Sequence, residues 1–120
     1  MRCQETLEIT KVLEDYIRGT RQGDAELLRR IIHPDAMIAG WFGNDLLVRR
    51  PNGFIARVAE SDAGEGYQAC VASISVLGKT AVGVVQEDGL WDDQSFINQF
   101  HLIRNEEDRW VITAKLFHRD

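Results

Sequence analysis

The sequence predicts an α+β domain in which helices from the first half of the chain lie across an antiparallel sheet. Three observations carry this. Helical apolar periods recur through the first sixty residues, and four runs rich in Val, Ile, Phe and Trp follow. Hydrophobic residues at 44% and charged residues at 28% are the proportions of a chain that buries a core. The 120 residues make a single domain over 1–120, with no internal repeat or linker and no room for a separate cofactor-binding unit.

Residues 6–21 read as the first helix. Ile9, Val12, Leu13, Tyr16 and Ile17 fall on one face, and Glu8, Lys11, Glu14, Asp15 and Arg18 on the other. Gly23 suits its end, and Asp24 offers an N-cap to a short second helix edged by Leu27, Leu28, Ile31 and Ile32. His33-Pro34 stops that helix, because the residue before a proline is pushed out of the α region. Residues 36–42 are apolar throughout and predict a covered strand, followed by a turn at Gly43-Asn44-Asp45 and a short strand over 46–49. Pro51 fits the first turn of a third helix with Phe54, Ile55 and Val58 on its inner edge. Residues 61–66 are loop-like, and strands are expected over 67–77, 79–87, 94–104 and 109–118. The turns between them take Leu77-Gly78-Lys79, Glu87-Asp88-Gly89 and Asn105-Glu106-Glu107-Asp108, so the paired carboxylates there and at Asp92-Asp93 read as solvated turn residues.

Charge and cysteine content exclude several function classes. Fourteen basic against nineteen acidic residues leave a net charge of −5, the wrong sign for a nucleic-acid or anionic-membrane surface. No apolar run has the length of a membrane span or follows a basic start as in a signal peptide, so a cytoplasmic location is expected. Cys3 and Cys70 stand alone without a CxxC spacing and read as free thiols. His33, His101 and His118 have no helical i, i+4 pairing or HExxH context, so no metal and no cofactor is expected. Gly64-Glu65-Gly66-Tyr67-Gln68-Ala69 fits the letters of GxGxxA, but it precedes a strand instead of following one and is a chance match.

The order of these elements, with Tyr16, Gly23-Asp24, His33-Pro34-Asp35-Ala36, Trp110-Val111-Ile112 and Lys115-Leu116-Phe117-His118, resembles the NTF2-like superfamily. Within it the chain is similar to the small bacterial SnoaL-like and "putative lumazine-binding" proteins. The resemblance implies a sheet wrapped into a cone, closed by three helices around a pocket, and a homodimer through the outer sheet face. Against the ketosteroid-isomerase branch, Tyr16 stands seven residues before Gly23 as that branch requires. The position of the catalytic base, five residues after Asp35, is Gly40, and the position of a second pocket acid is Phe100.

On the last strand, alternation groups Val111, Thr113, Lys115 and Phe117 against Trp110, Ile112, Ala114, Leu116 and His118. The isomerase-like register turns the Lys115 group inward. A lysine in an apolar cone is costly unless paired, which makes Lys115 the expected holder of an anionic ligand. On the preceding strand Phe96, Asn98, Phe100 and Leu102 share the inner face, and Ile97, Gln99, His101 and Ile103 the outer one. A one-residue slip exchanges the two sets, which keeps His101 as a reserve pocket candidate. The expected lining is Tyr16, Ile38, Phe42, Phe54, Asn98, Phe100, Thr113, Lys115 and Phe117. Trp41 is expected outside, and Trp41 and Trp91 read as core or dimer packing. The functional expectation is a protein that binds a small aromatic or anionic metabolite. The alternatives are a lyase, isomerase or cyclase using Tyr16 with His101 or Lys115, and a filled cone that serves only dimerisation.

Overall fold

A computed structural model describes residues 2–119. The elements in chain order are α1 (Arg2–Gln22), α2 (Ala25–Ile31), β1 (Ile32–Phe42), β2 (Asp45–Arg49), α3 (Pro51–Glu60), β3 (Gln68–Leu77), β4 (Thr80–Leu90), β5 (Gln94–Arg104) and β6 (Trp110–Arg119). The six strands form one sheet in the order β2-β1-β6-β5-β4-β3. All neighbours are antiparallel except β1 and β6, which makes the sheet mixed.

Local chemistry accounts for the helix boundaries. Asp24 caps α2 by accepting a 3.1 Å hydrogen bond from the Leu27 amide. Pro51 occupies the first turn of α3, where its missing N–H costs nothing. His33 and Pro34 do more than end α2, because the chain is already extended at Ile32 and β1 begins there. β1 is covered mainly on one face: Ala36 and Ile38 are buried, while Met37 and Trp41 on the opposite face are exposed. Its apolar run reflects a buried inner face and an apolar outer one.

Ile9, Leu13, Tyr16 and Ile17 of α1 pack with Val85, Phe96, Phe100, Leu102 and Ile112 from the inner face of the sheet. Burial of each large apolar side chain in this layer contributes about 1.5–3 kcal/mol. Gly83 on β4 gives α1 its close approach, since a Cβ there would run into the Leu13 side chain. Register shifts in the β3–β4, β4–β5 and β5–β6 ladders bend the sheet around this layer.

One of these shifts corrects the simple alternation of the last strand. His101 pairs with Ala114 and Leu102 with Ile112, so Thr113 is an extra residue without a partner on β5. Its hydroxyl donates to the His101 carbonyl at 3.2 Å. The bulge moves Thr113 off the inner face and brings Ile112 and Trp110 onto it, both buried. Past the bulge the inner face runs Lys115, Phe117 and Arg119, opposite Phe100, Asn98 and Phe96.

Gly40 lies opposite Phe117, and a Cβ at position 40 would overlap the Phe117 carbonyl oxygen. The β1–β6 pairing therefore requires glycine at the position where the isomerase pattern would place its base. Gly40→Ala is expected to lower the unfolding free energy by about 1–3 kcal/mol in denaturant titration. An unchanged midpoint would mean that the two strands separate more readily than this packing implies.

Candidate functional site

Between α1, α3 and the inner face of the sheet lies a cavity of about 250 Å³. Tyr16, Ile38, Glu87, Leu90, Phe96 and Lys115, all buried, form its floor. Phe42, Phe54, Trp91 and Phe117 supply aromatic walls. Arg49 and Arg57, both exposed, stand at the rim with Leu47 and Gly53.

Six of the expected lining residues border this cavity: Tyr16, Ile38, Phe42, Phe54, Lys115 and Phe117. Three stand elsewhere. Thr113 is displaced by the bulge. Phe100 is buried beneath Tyr16, with ring centroids 4.7 Å apart, and belongs to the core. Asn98 is on the inner face of β5 as the alternation predicts, but it stands outside the cavity lining, with its Nδ2 donating to Glu87 at 2.6 Å and to the Val85 carbonyl at 3.3 Å and its Oδ1 buried without a protein partner among the described residues. His101 is exposed on the outer face. Trp91 moves the other way, from expected packing residue to cavity wall.

Glu87 is the residue that the sequence reading placed in a solvated turn. β4 continues three residues beyond the expected end, and the alternation of Ala81, Gly83 and Val85 carries Glu87 inward to 2% exposure. Tyr67 Oη donates to its carboxylate at 2.6 Å, Asn98 Nδ2 at 2.6 Å, and Tyr16 Oη at 3.2 Å. Three converging donors are what an acceptor-only carboxylate needs when it is removed from water. The signal in the sequence was the period-two pattern of β4, which passes through Glu87 without a break. The arrangement also corrects the expected role of Tyr16: its ring faces the cavity lining, but its hydroxyl proton is directed to Glu87. Burial and the Glu87 charge push the phenols of Tyr16 and Tyr67 well above their ordinary value.

Lys115 is 4% exposed. Its Nζ lies 4.6 Å from the ring centre of Phe54, 4.7 Å from that of Phe117 and 6.0 Å from that of Tyr16. Among the described residues it forms neither an ion pair nor a hydrogen bond. Burial pushes its ammonium down from 10.5 to about 8, with the Glu87 charge resisting the fall. Among the described residues, the contacts of this ammonium group are thus with ring faces, and the charge of Glu87 acts on it from a distance.

Trp91 is held by a strained turn. Trp91, Asp92 and Asp93 have φ of 46°, 67° and 66°, a left-handed run that β-branched or aromatic residues rarely enter. The Trp91 amide donates to the Ala63 carbonyl at 3.1 Å, and Gln94 Nε2 donates to the Trp91 carbonyl at 2.6 Å. The indole then packs edge-on against Phe54 and Phe96, with the Arg57 guanidinium 4.5 Å above it. Its Nε1–H is buried without a protein acceptor. A second guanidinium, from Arg119, covers Phe42 at 4.1 Å. No group of three or more His, Cys, Asp or Glu among the described residues is placed to hold a metal ion.

Three helices folded over a six-stranded mixed sheet around a cavity define an NTF2-like protein, and several solved structures this chain matches are described as such. An NTF2-like protein of unknown function from Silicibacter pomeroyi DSS-3 superposes with a TM-score of 0.90 at 25% identity, covering 100% of this chain and 99% of that one. One from Shewanella baltica OS155 gives 0.89 at 23% identity, with 100% and 97% covered. A ketosteroid isomerase-like protein from Erwinia carotovora atroseptica gives 0.72 at 13% identity, with 94% of each chain covered, and shares the fold. The chain belongs to the family described as "Putative lumazine-binding", which it matches over residues 4–118. No curated protein matches it.

The charge on Lys115 has a consequence for stability. Its pKa is lower folded than unfolded, so burying the protonated amine costs on the order of 3 kcal/mol below pH 8, and that cost fades as pH rises from about 8 to 10.5. The raised phenols act oppositely: they withdraw stability above pH 10, where the unfolded chain ionises first. The difference in unfolding free energy between Lys115→Met and wild type, followed by denaturation at stepped pH, is expected to shrink from pH 7 to 10.5. A pH-independent difference would show that Lys115 is already solvated in the native state.

Proposed function

We propose that the protein binds a small, flat, anionic aromatic or heteroaromatic molecule in the cavity, with an oxygen of the ligand at Lys115. The observation that carries this is a buried cation set against aromatic rings, with no ion-pair partner among the described residues, on a cavity small enough for one or two rings. Lys115, Arg49 and Arg57 outweigh the single carboxylate of Glu87, so the cavity is positive in a chain whose net charge is −5. Phe54, Phe117 and Trp91 offer ring faces, and the unpartnered indole N–H offers one donor. A lumazine, the ligand in the family description, meets these requirements as a fused, carbonyl-bearing heterocycle.

The binding reading is tested by native mass spectrometry of the purified protein for a retained small molecule, followed by titration with lumazine and with benzoate-type anions against tryptophan fluorescence. Lys115→Met is expected to weaken binding about ten- to hundredfold, the value of a charge-assisted hydrogen bond. Undiminished affinity in that variant would remove Lys115 from the site.

The homodimer expected from the resemblance is supported by the outer sheet face. Ladder pairing aligns Trp41, His118 and Ile97 in one row, Ala39, Leu116, Gln99 and Val84 in the next, and Met37, Ala114, His101 and Val82 in a third. No Asp, Glu, Lys or Arg occurs in these rows, although such residues are 28% of the chain. A charge-free apolar face suits a second copy of itself across a twofold axis, since the net charge of each copy stays away from the contact. Sedimentation is expected to show a dimer that Leu116→Glu converts to monomer. A monomeric wild type would refute this face as an interface.

A further inference from the structure

The binding reading leaves one group underused. An anion site needs only a positive charge, and Arg49 and Arg57 at the rim already supply it. Lys115 is placed differently, buried on the floor, where among the described residues no carboxylate forms an ion pair with its amine and the charge of Glu87 only partly offsets the desolvation that favours the free amine. We propose that Lys115 is a nucleophile, and that the ligand is an aromatic aldehyde or ketone bearing an acidic group, which condenses with Nζ to a Schiff base. The proposal rests on the binding reading above and specifies its ligand class.

The geometry supports each step. The Nζ lone pair adds to the carbonyl carbon, and the C=O π pair moves to oxygen, which takes up a proton as nitrogen loses one. The resulting carbinolamine expels its hydroxyl as water, carrying off the carbonyl oxygen and the second nitrogen proton, and a C=N bond remains. Addition requires the free amine, and desolvation among Phe54, Phe117 and Tyr16 makes that form accessible near neutral pH. Water loss is favoured on an apolar floor. The nitrogen protons leave with the departing oxygen as water, so the step needs no acid from the lining, and Tyr16 keeps its hydroxyl proton on Glu87. The aromatic walls take the ring conjugated to the carbonyl, and the rim arginines take its acidic group. Lys11 and Lys79, the other lysines of the chain, are exposed and have no such surroundings.

The test uses 4-formylbenzoate as probe and 4-(hydroxymethyl)benzoate, which has the same outline and no electrophilic carbonyl, as its non-condensing counterpart. The intact protein is incubated with each at stepped pH, treated with cyanoborohydride and mapped by peptide mass, while tryptophan fluorescence reports binding. The expected result is one reduced adduct at Lys115, formed at least tenfold faster than at Lys11, Lys79 or the N-terminal amine. Its rate should rise between pH 6.5 and 8.5, and the alcohol should bind without adduct. Lys115→Arg, which keeps a cation but has no nucleophilic amine, is expected to give no adduct at position 115 with either probe. Binding of the aldehyde without an adduct at Lys115, or labelling spread evenly over the amines, would overturn the nucleophile and leave the binding reading standing. Failure of both probes to bind would overturn the binding reading and this inference together.

Discussion

The structure depends on keeping two opposite charges, Glu87 and Lys115, inside one apolar cone. Removing either from water costs several kcal/mol unless polar partners replace the lost hydration. The two solve the problem differently. Glu87 collects hydrogen bonds from Tyr16, Tyr67 and Asn98, which reach it from α1, from the start of β3 and from β5. The carboxylate is therefore also a tie between the helix layer and the sheet. Lys115 collects no hydrogen bonds among the described residues and sits among ring faces, at the expense of its affinity for a proton. A charge that is fully satisfied is structural, and one that is left short of partners is available for chemistry.

The cavity around Lys115 is kept by rigid surroundings. Trp91 closes one wall from a left-handed turn that its neighbours pin through both its amide and its carbonyl. Phe42 and Phe117 arrive from β1 and β6, whose close approach at Gly40 brings the two strands together. The same glycine removes the side chain that an isomerase would use there. The departure from the isomerase pattern is thus part of how the cone is built.

Much of this was legible in the sequence. The helical stripe of Ile9, Leu13, Tyr16 and Ile17, the Asp24 cap, the Pro51 start and the six strands all follow from local periodicity and capping chemistry. The grouping of Lys115 with Phe117 follows from alternation on the strand, while the family resemblance supplied which of the two faces is turned inward. Tertiary structure decided what alternation cannot carry. A one-residue bulge at Thr113 broke the period in β6, and only the pairing partner on β5 reveals it. Three further residues of β4 turned Glu87 from a turn acid into the centre of a buried network, since a strand end is set by the neighbouring strand and not by its own composition. The donors that make a carboxylate tolerable inside a protein come from segments up to 71 residues away, and no local pattern records them.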